Sequence, residues 1–393
     1  MSRTIIRLPL IAAAIVTVAG ACTREWDVTN EPGEPLPGLT AEELERFETG
    51  KAGFTRVWWP EEGLGPLYTE NSCNACHHDP QTGGSSQLFD IHASRFIEPD
   101  SCDTMRFERG FVRRNVTPLM VAAGGDRETP PTDATGTSRF TVPPLFGLGL
   151  VEAIPEETIL ALADPEDLDG DGISGRASRL ADGRLGRFRR KLDRAAIRDL
   201  AEAGAWFALG LTTPDHPEEV PYMGRPVPPA ADPTPEPEVA REALDQIAEF
   251  IRLLAPPRPA PPRDAADREI IVRGGALFAV VGCADCHVPA LRTGPNAIAA
   301  LDRKLVPLYS DLLLHDMGPE LADVCGPTAT PSEVRTQMLW GVRYRSRLMH
   351  DGRARSLRES IEMHGGESAA SRAAFDQLDP ASQQAVIRFT QTR

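Results

Sequence analysis

The sequence predicts a mostly α-helical chain built as two compact units joined by a proline-rich segment. Three observations carry that prediction: apolar residues recur at three- to four-residue spacing in several stretches, strand-like alternation is sparse, and each half contains one Cys-x-x-Cys-His string. The strings are Cys73-Asn74-Ala75-Cys76-His77 and Cys283-Ala284-Asp285-Cys286-His287. Each sets two thiols about one helical turn apart beside an imidazole, the spacing that c-type haem attachment requires. The thiols add to the haem vinyl groups and the histidine becomes the proximal iron ligand. The expected cofactors are therefore two covalently bound haem c groups, ligated by His77 and His287. The competing readings are a thioredoxin-like redox pair and a zinc site, and zinc would require the Cys pairs to converge or recruit further ligands.

At 393 residues the chain is long enough for two or three compact units, and its net charge of -15 argues against nucleic acid or an anionic membrane surface as partner. Residues 1–22 read as a leader: Arg3 and Arg7, an apolar run from Leu8 to Val18, then Ala19-Gly20-Ala21 before Cys22. The end of that run resembles a bacterial lipobox, with Ala19 where Leu is usual. The expectation is export to the periplasm with a lipid anchor on Cys22, ordinary cleavage near the same place being the alternative.

Residues 23–210 form the expected N-terminal haem unit. Thr40 with Glu43 makes a capping box that opens a helix towards Phe54. Residues 79–140, rich in Gly, Asp, Ser and Thr, read as mostly loop around the first haem. Helical periodicity returns at 156–163 and 194–209, the latter with Asp193 as N-cap. Residues 211–263 read as the inter-domain connection, with nine prolines in 211–237 and five in 256–262. Between them Val239, Leu244, Ile247, Phe250, Ile251 and Leu254 mark one amphipathic helix. Residues 264–393 form the C-terminal unit. Its first helix, from about Ala265, carries Gly274 and Phe278 four apart, a close backbone contact beside an aromatic for the porphyrin, and looks like the N-terminal helix of a small cytochrome c. Ser356 with Glu359 starts a further helix, and Asp379-Pro380 starts the last, which carries Val386 and Phe389. Of the seven cysteines, Cys102 and Cys325 remain after lipid and haem are assigned. They are either a disulfide or buried free thiols.

Four stretches carry a family resemblance: Tyr309-Ser310-Asp311-Leu312-Leu313-Leu314-His315-Asp316-Met317-Gly318, Leu339-Trp340-Gly341, His350-Asp351-Gly352-Arg353-Ala354 and His364-Gly365-Gly366-Glu367. With them the chain resembles the bacterial di-haem oxidoreductases, sometimes called thiol oxidoreductases, which are similar to the di-haem cytochrome c peroxidases and MauG-like enzymes. The resemblance implies two cytochrome c-like haem domains that divide labour, one haem relaying electrons and the other opening an iron position to hydrogen peroxide. It also implies a small redox protein, of the cytochrome c or cupredoxin type, as electron donor. A di-haem electron-transfer cytochrome without peroxidase activity, serving iron uptake, is the alternative.

The peroxidase register places a distal ligand fourteen residues after the His-x-Gly element, which from His350 falls on His364. Met363, Met317 and His315 are the reserves. Arg353 is expected to pair with a haem propionate, and the His350-Asp351 pair to fix loop geometry. Residues 143–154 are a weak echo of 338–361. There Glu152 is the candidate acid–base group for peroxide cleavage, its pKa raised by burial, or else a helix-terminal Glu that only complements the dipole. His92, fifteen residues after His77, is a candidate displaceable distal ligand, and His78 a surface residue. Asp167, Asp169, Asp171 and the Ile173 carbonyl match the front of an EF-hand loop, with Ser178 where the closing glutamate belongs. Calcium or a metal-free Asp/Gly turn are the two readings. The tryptophans Trp26, Trp58, Trp59, Trp206 and Trp340 are packing residues or electron bridges. The two strings are thus unequal: the second has a sixth-ligand candidate and suits a relay, and the first is where chemistry is expected.

Overall fold

The computed structural model describes residues 28–393, apart from 98, 100 and 109. The leader, Cys22 and Trp26 lie outside the described residues. In chain order the helices are α1 (Ala41–Thr55), α2 (Cys73–Cys76), α3 (Pro118–Ala122), α4 (Leu148–Glu152), α5 (Glu156–Leu160), α6 (Ile197–Ala203), α7 (Arg241–Leu253), α8 (Ala265–Val280), α9 (Cys283–Cys286), α10 (Leu357–Glu362), α11 (Ala369–Asp376) and α12 (Pro380–Gln391). Strands β1 (Leu67–Tyr68), β2 (Phe89–Ile97), β3 (Ser101–Asp103), β4 (Phe111–Val112), β5 (Asn115–Val116) and β6 (Gly136–Thr141) precede the mid-chain helices. Strands β7 (Leu291–Arg292), β8 (Leu305–Val306), β9 (Leu314–Asp316) and β10 (Glu333–Arg335) follow the second motif. Among the described residues no helix is long and apolar enough to cross a membrane.

Two helix pairs, α1 on α7 and α8 on α12, organise the molecule. Local chemistry sets where their helices start. Glu43 N donates to Thr40 Oγ1 (3.2 Å) while Thr40 N donates to Glu43 Oε2 (2.8 Å), completing the capping box of α1. Asp267 N donates to Asp264 Oδ1 at the start of α8, and Asp379 caps α12 ahead of Pro380. Each pair closes on a glycine. A Cβ on Gly50 would stand 2.0 Å from the Gln246 carbonyl oxygen, and one on Gly274 would stand 2.0 Å from that of Ala385. Four residues beyond each glycine comes a phenylalanine. Phe54 packs on Phe250 and lies 6.1 Å from the His77 ring; Phe278 packs on Phe389 and lies 6.3 Å from that of His287. The same device therefore serves both motifs.

Helix α7 lies within the stretch read from sequence as a connection, yet Leu244, Phe250, Ile251 and Leu254 are fully buried. An amphipathic face must be covered, and here α1, α4 and α6 cover it. The largest apolar cluster runs from Val28, Phe47 and Phe54 through Phe250 and Leu254 to Leu308, Leu313 and Trp340, so both halves of the chain contribute to one core.

Most of the stretch 79–140 is loop, as expected, but strands run through it. It holds a sheet in the order β3-β2-β4, with β6 also paired to β2 in antiparallel register Phe89↔Thr141 through Ser94↔Gly136. Along the first part of β2, Phe89, Ile91 and Ala93 alternate with Asp90, His92 and Ser94, and Asp90 and His92 stand beside a cavity. Cys102 on β3 is disulfide-bonded to Cys325 (Cα–Cα 5.9 Å), which ties this sheet to the C-terminal half. Helix α6 begins at Ile197 rather than at Asp193, since the Asp193 carboxylate is taken by Arg189 (2.9 Å). It continues into a π-helical turn, Gly204–Leu209.

Candidate functional site

Both Cys-x-x-Cys-His strings fold alike. The four residues from the first to the second cysteine form a single helical turn, and the histidine closes it, His77 N donating to the Cys73 carbonyl (3.1 Å) and His287 N to that of Cys283 (2.9 Å). His77 Nδ1 sits 3.0 Å from the Gly84 carbonyl, and His287 Nδ1 sits 2.9 Å from that of Tyr309. A carbonyl at Nδ1 fixes the tautomer and leaves Nε2 as the ligating nitrogen. Burial pushes both imidazoles down to about 4, so they are neutral at pH 7, the form that binds a metal. The Cys73 thiol is pushed up to about 11 and that of Cys283 to about 12, again mainly by burial. Among the described residues the two Cys pairs do not gather into one metal cluster, as zinc would require.

The second motif opens directly onto a cavity of about 200 Å³ whose wall includes Cys283, Cys286, His287 and His364. His364 follows α10, with its Nδ1 2.7 Å from the Ser360 carbonyl, so its free nitrogen is again Nε2. Of the reserves, Met317 also lines this cavity, whereas Met363 packs beside Val342, Leu348 and Ala354. His315 reaches the wall, but both ring nitrogens are engaged: Nε2 with Asp311 and Nδ1 with Glu367, each at 2.7 Å. Burial alone would lower its pKa, yet hydrogen bonds to Asp311, Cys286 and Glu367 push it up to about 12. It is a buried imidazolium, not a free ligand.

The first motif stands beside a larger cavity of about 290 Å³. Its histidine also lies against the Pro143 carbonyl, and Asp90 is within electrostatic reach of Cys76; Pro143 and Asp90 both belong to the cavity wall. His92 lines this cavity with its ring between Phe111 (5.1 Å) and Phe140 (4.8 Å). Burial, then Arg189 and Arg190, hold its pKa well below the usual value, so it is neutral. Burial raises the carboxyl of Asp90, against the pull of Arg114, Arg189 and Arg190. The two echoing segments are placed equivalently: Pro143, Pro144 and Leu145 line the first cavity, and Met338, Leu339 and Val342 line the second.

Three expected roles meet different surroundings. Glu152 lines neither cavity: Oε1 accepts from Ile197 N at the start of α6 (2.8 Å), and Oε2 pairs with Arg252 (2.7 Å). It is a helix cap and ion-pair partner, because α4 turns that face away from the cavity towards α6 and α7. Arg353, expected at a haem edge, is bound to Asp351 and to the Glu320 carbonyl (2.8 Å), and it too lines neither cavity. His350 is buried in the second cavity wall, 2.7 Å from Asp323 rather than paired to Asp351.

In the calcium-like loop, Asp167 and Asp169 gather with Asp164, each offering an oxygen within 4.8 Å of the others, and Asp171 does not join them. Asp171 Oδ1 instead accepts from Ile173 N (2.8 Å). The exit of that loop reaches the second motif, since Ser174 binds Glu367, the partner of His315. His78 is exposed. Trp206 stacks on His216 (3.9 Å) and neighbours Phe207 of the first cavity wall, while Trp340 packs in the main core.

Sequence reasoning passed over the arginines. Arg190 and Arg335 line both cavities and Arg345 lines the second, and the Nε of each is buried without a hydrogen-bond partner. A buried guanidinium demands an anion, and a haem brings two carboxylates. The signal was present: Arg187, Arg189, Arg190, Lys191 and Arg194 place five cations within eight residues of an acidic chain. Neutral imidazoles with free Nε2, paired thiols and unpartnered guanidiniums around one cavity together suit a c-type haem.

Residues 132–392 match the sequence family described as "Di-haem oxidoreductase, putative peroxidase". No curated protein matches the chain. Among solved structures, the chain is similar to a hydrazine synthase of Kuenenia stuttgartiensis at 15% identity, TM-score 0.43, covering 100% of this chain and 98% of that one. It is also similar to a MauG-like protein associated with microbial copper homeostasis (13% identity, TM-score 0.37, 93% and 94% covered). A di-haem peroxidase, BthA of Burkholderia thailandensis, aligns at 14% identity, TM-score 0.31, with 93% and 89% covered.

Proposed function

Because the chain belongs to the di-haem oxidoreductase family, we propose that it is an exported haem enzyme whose second cavity holds a relay haem and whose first is where hydrogen peroxide is reduced. The observation that carries this reading is the contrast between the two walls. The second presents two half-buried imidazoles, His287 and His364, each with Nδ1 tied to a carbonyl, as a relay haem with two histidine ligands would need. The first presents a carboxyl and an imidazole, Asp90 and His92, side by side on β2 among arginines.

Haem c, when bound, supplies the iron that stores an electron or receives peroxide. The chain supplies the rest. Cys73, Cys76, Cys283 and Cys286 would attach the two groups, His77 and His287 would hold the irons, and His92 is a neutral imidazole in the first cavity that could serve as a displaceable ligand. Asp90, in place of Glu152, would be the carboxyl that hands a proton to the departing peroxide oxygen, general acid work towards which burial raises it. Phe111, Phe140, Leu145 and Leu148 supply the apolar part of a wall that the arginines otherwise dominate.

The leader before Cys22 supports export to the periplasm with a lipid anchor, and the charge of -15 suits a basic small redox protein as donor. The gathering of Asp164, Asp167 and Asp169 supports calcium in the loop.

The test uses the purified full chain. Intact mass should show two attached haems, and the protein reduced by one electron should change its spectrum with hydrogen peroxide and turn over with a reduced small cytochrome. Two attached haems with no spectral change and no turnover would overturn the peroxidase reading in favour of an electron carrier.

A further inference from the structure

Four residues, Arg190, Arg335, Gln337 and Met338, stand in the walls of both cavities. They come from distant parts of the chain: Arg190 from the turn before α6, and Arg335 from the end of β10. Arg190 and Arg335 are only 9% and 6% exposed. Their hydrogen bonds are to neutral acceptors alone. Arg190 Nη2 donates to the carbonyl and the hydroxyl oxygen of Thr141 (2.6 Å each). Arg335 donates to the Arg187 carbonyl (3.1 Å) and to Gln337 Oε1 (3.3 Å).

Among the described residues no carboxylate forms an ion pair with either guanidinium, and the Nε of each is buried without a partner. Arg345, which lines only the second cavity, adds a third, half-buried cation that donates to the same Thr141 hydroxyl (3.3 Å). Burial, then Arg345 and Arg335, pull Arg190 down to about 9 against Asp323 and Asp90, and burial pulls Arg335 down to about 10 although Asp311 opposes it, so carboxylates at a distance leave both cations short of a bonded counter-charge. Like charges gathered in a low-dielectric wall destabilise the fold unless anions join them.

From this juxtaposition, and resting on the two-haem reading above, we infer that Arg190 and Arg335 form one carboxylate-binding site shared by the two cavities, so that the propionate edges of both haems meet on the same pair of guanidiniums. The pair is then a positioning and coupling element. It fixes the two redox centres edge towards edge, and its positive charge favours the reduced state of each. Arg345 belongs to the second centre alone.

The test is a spectroelectrochemical titration of the full-length holoprotein and its variants, in which both midpoint potentials are read. Haem content is checked first by intact mass, so that loss of attachment, a failure of the two-haem reading, is told apart from failure of the shared site. Arg335→Gln removes a cation that faces both cavities. It should lower both potentials, each by a tenfold or larger change in the reduction equilibrium, about 59 mV for a one-electron couple. Arg345→Gln should lower one potential by a similar factor and leave the other in place. Arg335→Lys, which keeps the charge, should restore most of both shifts and also serves if the Gln variant fails to fold. A shift confined to one haem in Arg335→Gln, no shift in either, or equal two-haem shifts from Arg345→Gln, would each overturn the shared site.

Discussion

Substituting Gly274 by Ala tests the helix-pair device on which both motifs rest. The added Cβ would stand 2.0 Å from the Ala385 carbonyl oxygen, against the 3.0 Å below which real Cβ contacts essentially never occur, so α8 and α12 must part by about 1 Å. The obstructing atom is backbone and cannot rotate away. A gap of that size forfeits a quarter to a half of the dispersion energy across the interface, where Phe278 meets Phe389 at 5.4 Å. Overpacking with a backbone shift costs about 3 kcal/mol at the upper end of its usual range. Ala is the better helix former by about 1 kcal/mol. The net expectation is a loss of about 2 kcal/mol, roughly thirty-fold in the unfolding equilibrium. Guanidinium unfolding of the haem-loaded protein, followed by circular dichroism, reads it. Gly50→Ala, with its Cβ 2.0 Å from the Gln246 carbonyl oxygen, should behave alike. Gly204→Ala is the control: nothing lies within 4 Å of its Cβ and its backbone is helical, so it should gain about 0.5–1 kcal/mol. If Gly274→Ala were as stable as the parent, the close crossing of α8 and α12 would be wrong.

Asp90→Asn, measured by steady-state peroxide turnover, should lose about 100-fold or more in rate, as removal of a general acid does. Glu152→Gln should keep the rate within about twofold while weakening its pair with Arg252, a stability change of at most about 1 kcal/mol; the reverse ranking would reinstate Glu152. His364→Ala should convert the second haem from a low-spin to a high-spin absorption spectrum, and an unchanged spectrum would remove His364 from the iron. Glu219 offers a pH test away from both cavities. Burial, then Asp232, Glu238 and Glu236, push its carboxyl up to about 9, above the unfolded value of about 4.3. Its favourable contribution is complete below the unfolded pKa and is lost as pH rises through the folded one. Denaturant midpoints should therefore fall from about pH 5 to about pH 8, and Glu219→Gln should flatten the slope; an equal slope in the variant would show that Glu219 is not buried as described.

Much of the site's local chemistry was legible in the chain. The two Cys-x-x-Cys-His strings, the Thr40–Glu43 capping box and the Asp379-Pro380 start are interactions within a few residues, and spacing alone specifies them. Gly274 and Phe278 were readable for the same reason. The matching pair Gly50 and Phe54 was passed over because nineteen residues part Phe54 from Cys73, where only five part Phe278 from Cys283. The proline-rich segment looked like a connection because its prolines are local, whereas the partner that buries α7 is α1, far back in the chain. Strand β2 was passed over although Phe89-Asp90-Ile91-His92-Ala93-Ser94 alternates, because it is one short period-two run inside a stretch otherwise rich in Gly, Asp, Ser and Thr.

Glu152 and Arg353 show the limit most plainly. Both are the right residue types near the right motifs, but a charged side chain acts according to what surrounds it, and Arg252 and Ile197 surround the first while Asp351 holds the second. The sequence by itself determined the two Cys-x-x-Cys-His motifs and the helical turns that carry them, because these depend on neighbours along the chain. Tertiary structure alone decided which acid faces a cavity, that His315 is locked between two carboxylates, and that Arg190 and Arg335 meet in one wall. Burial and electrostatics in a low-dielectric interior depend on distances in space, and segments remote in sequence set those distances.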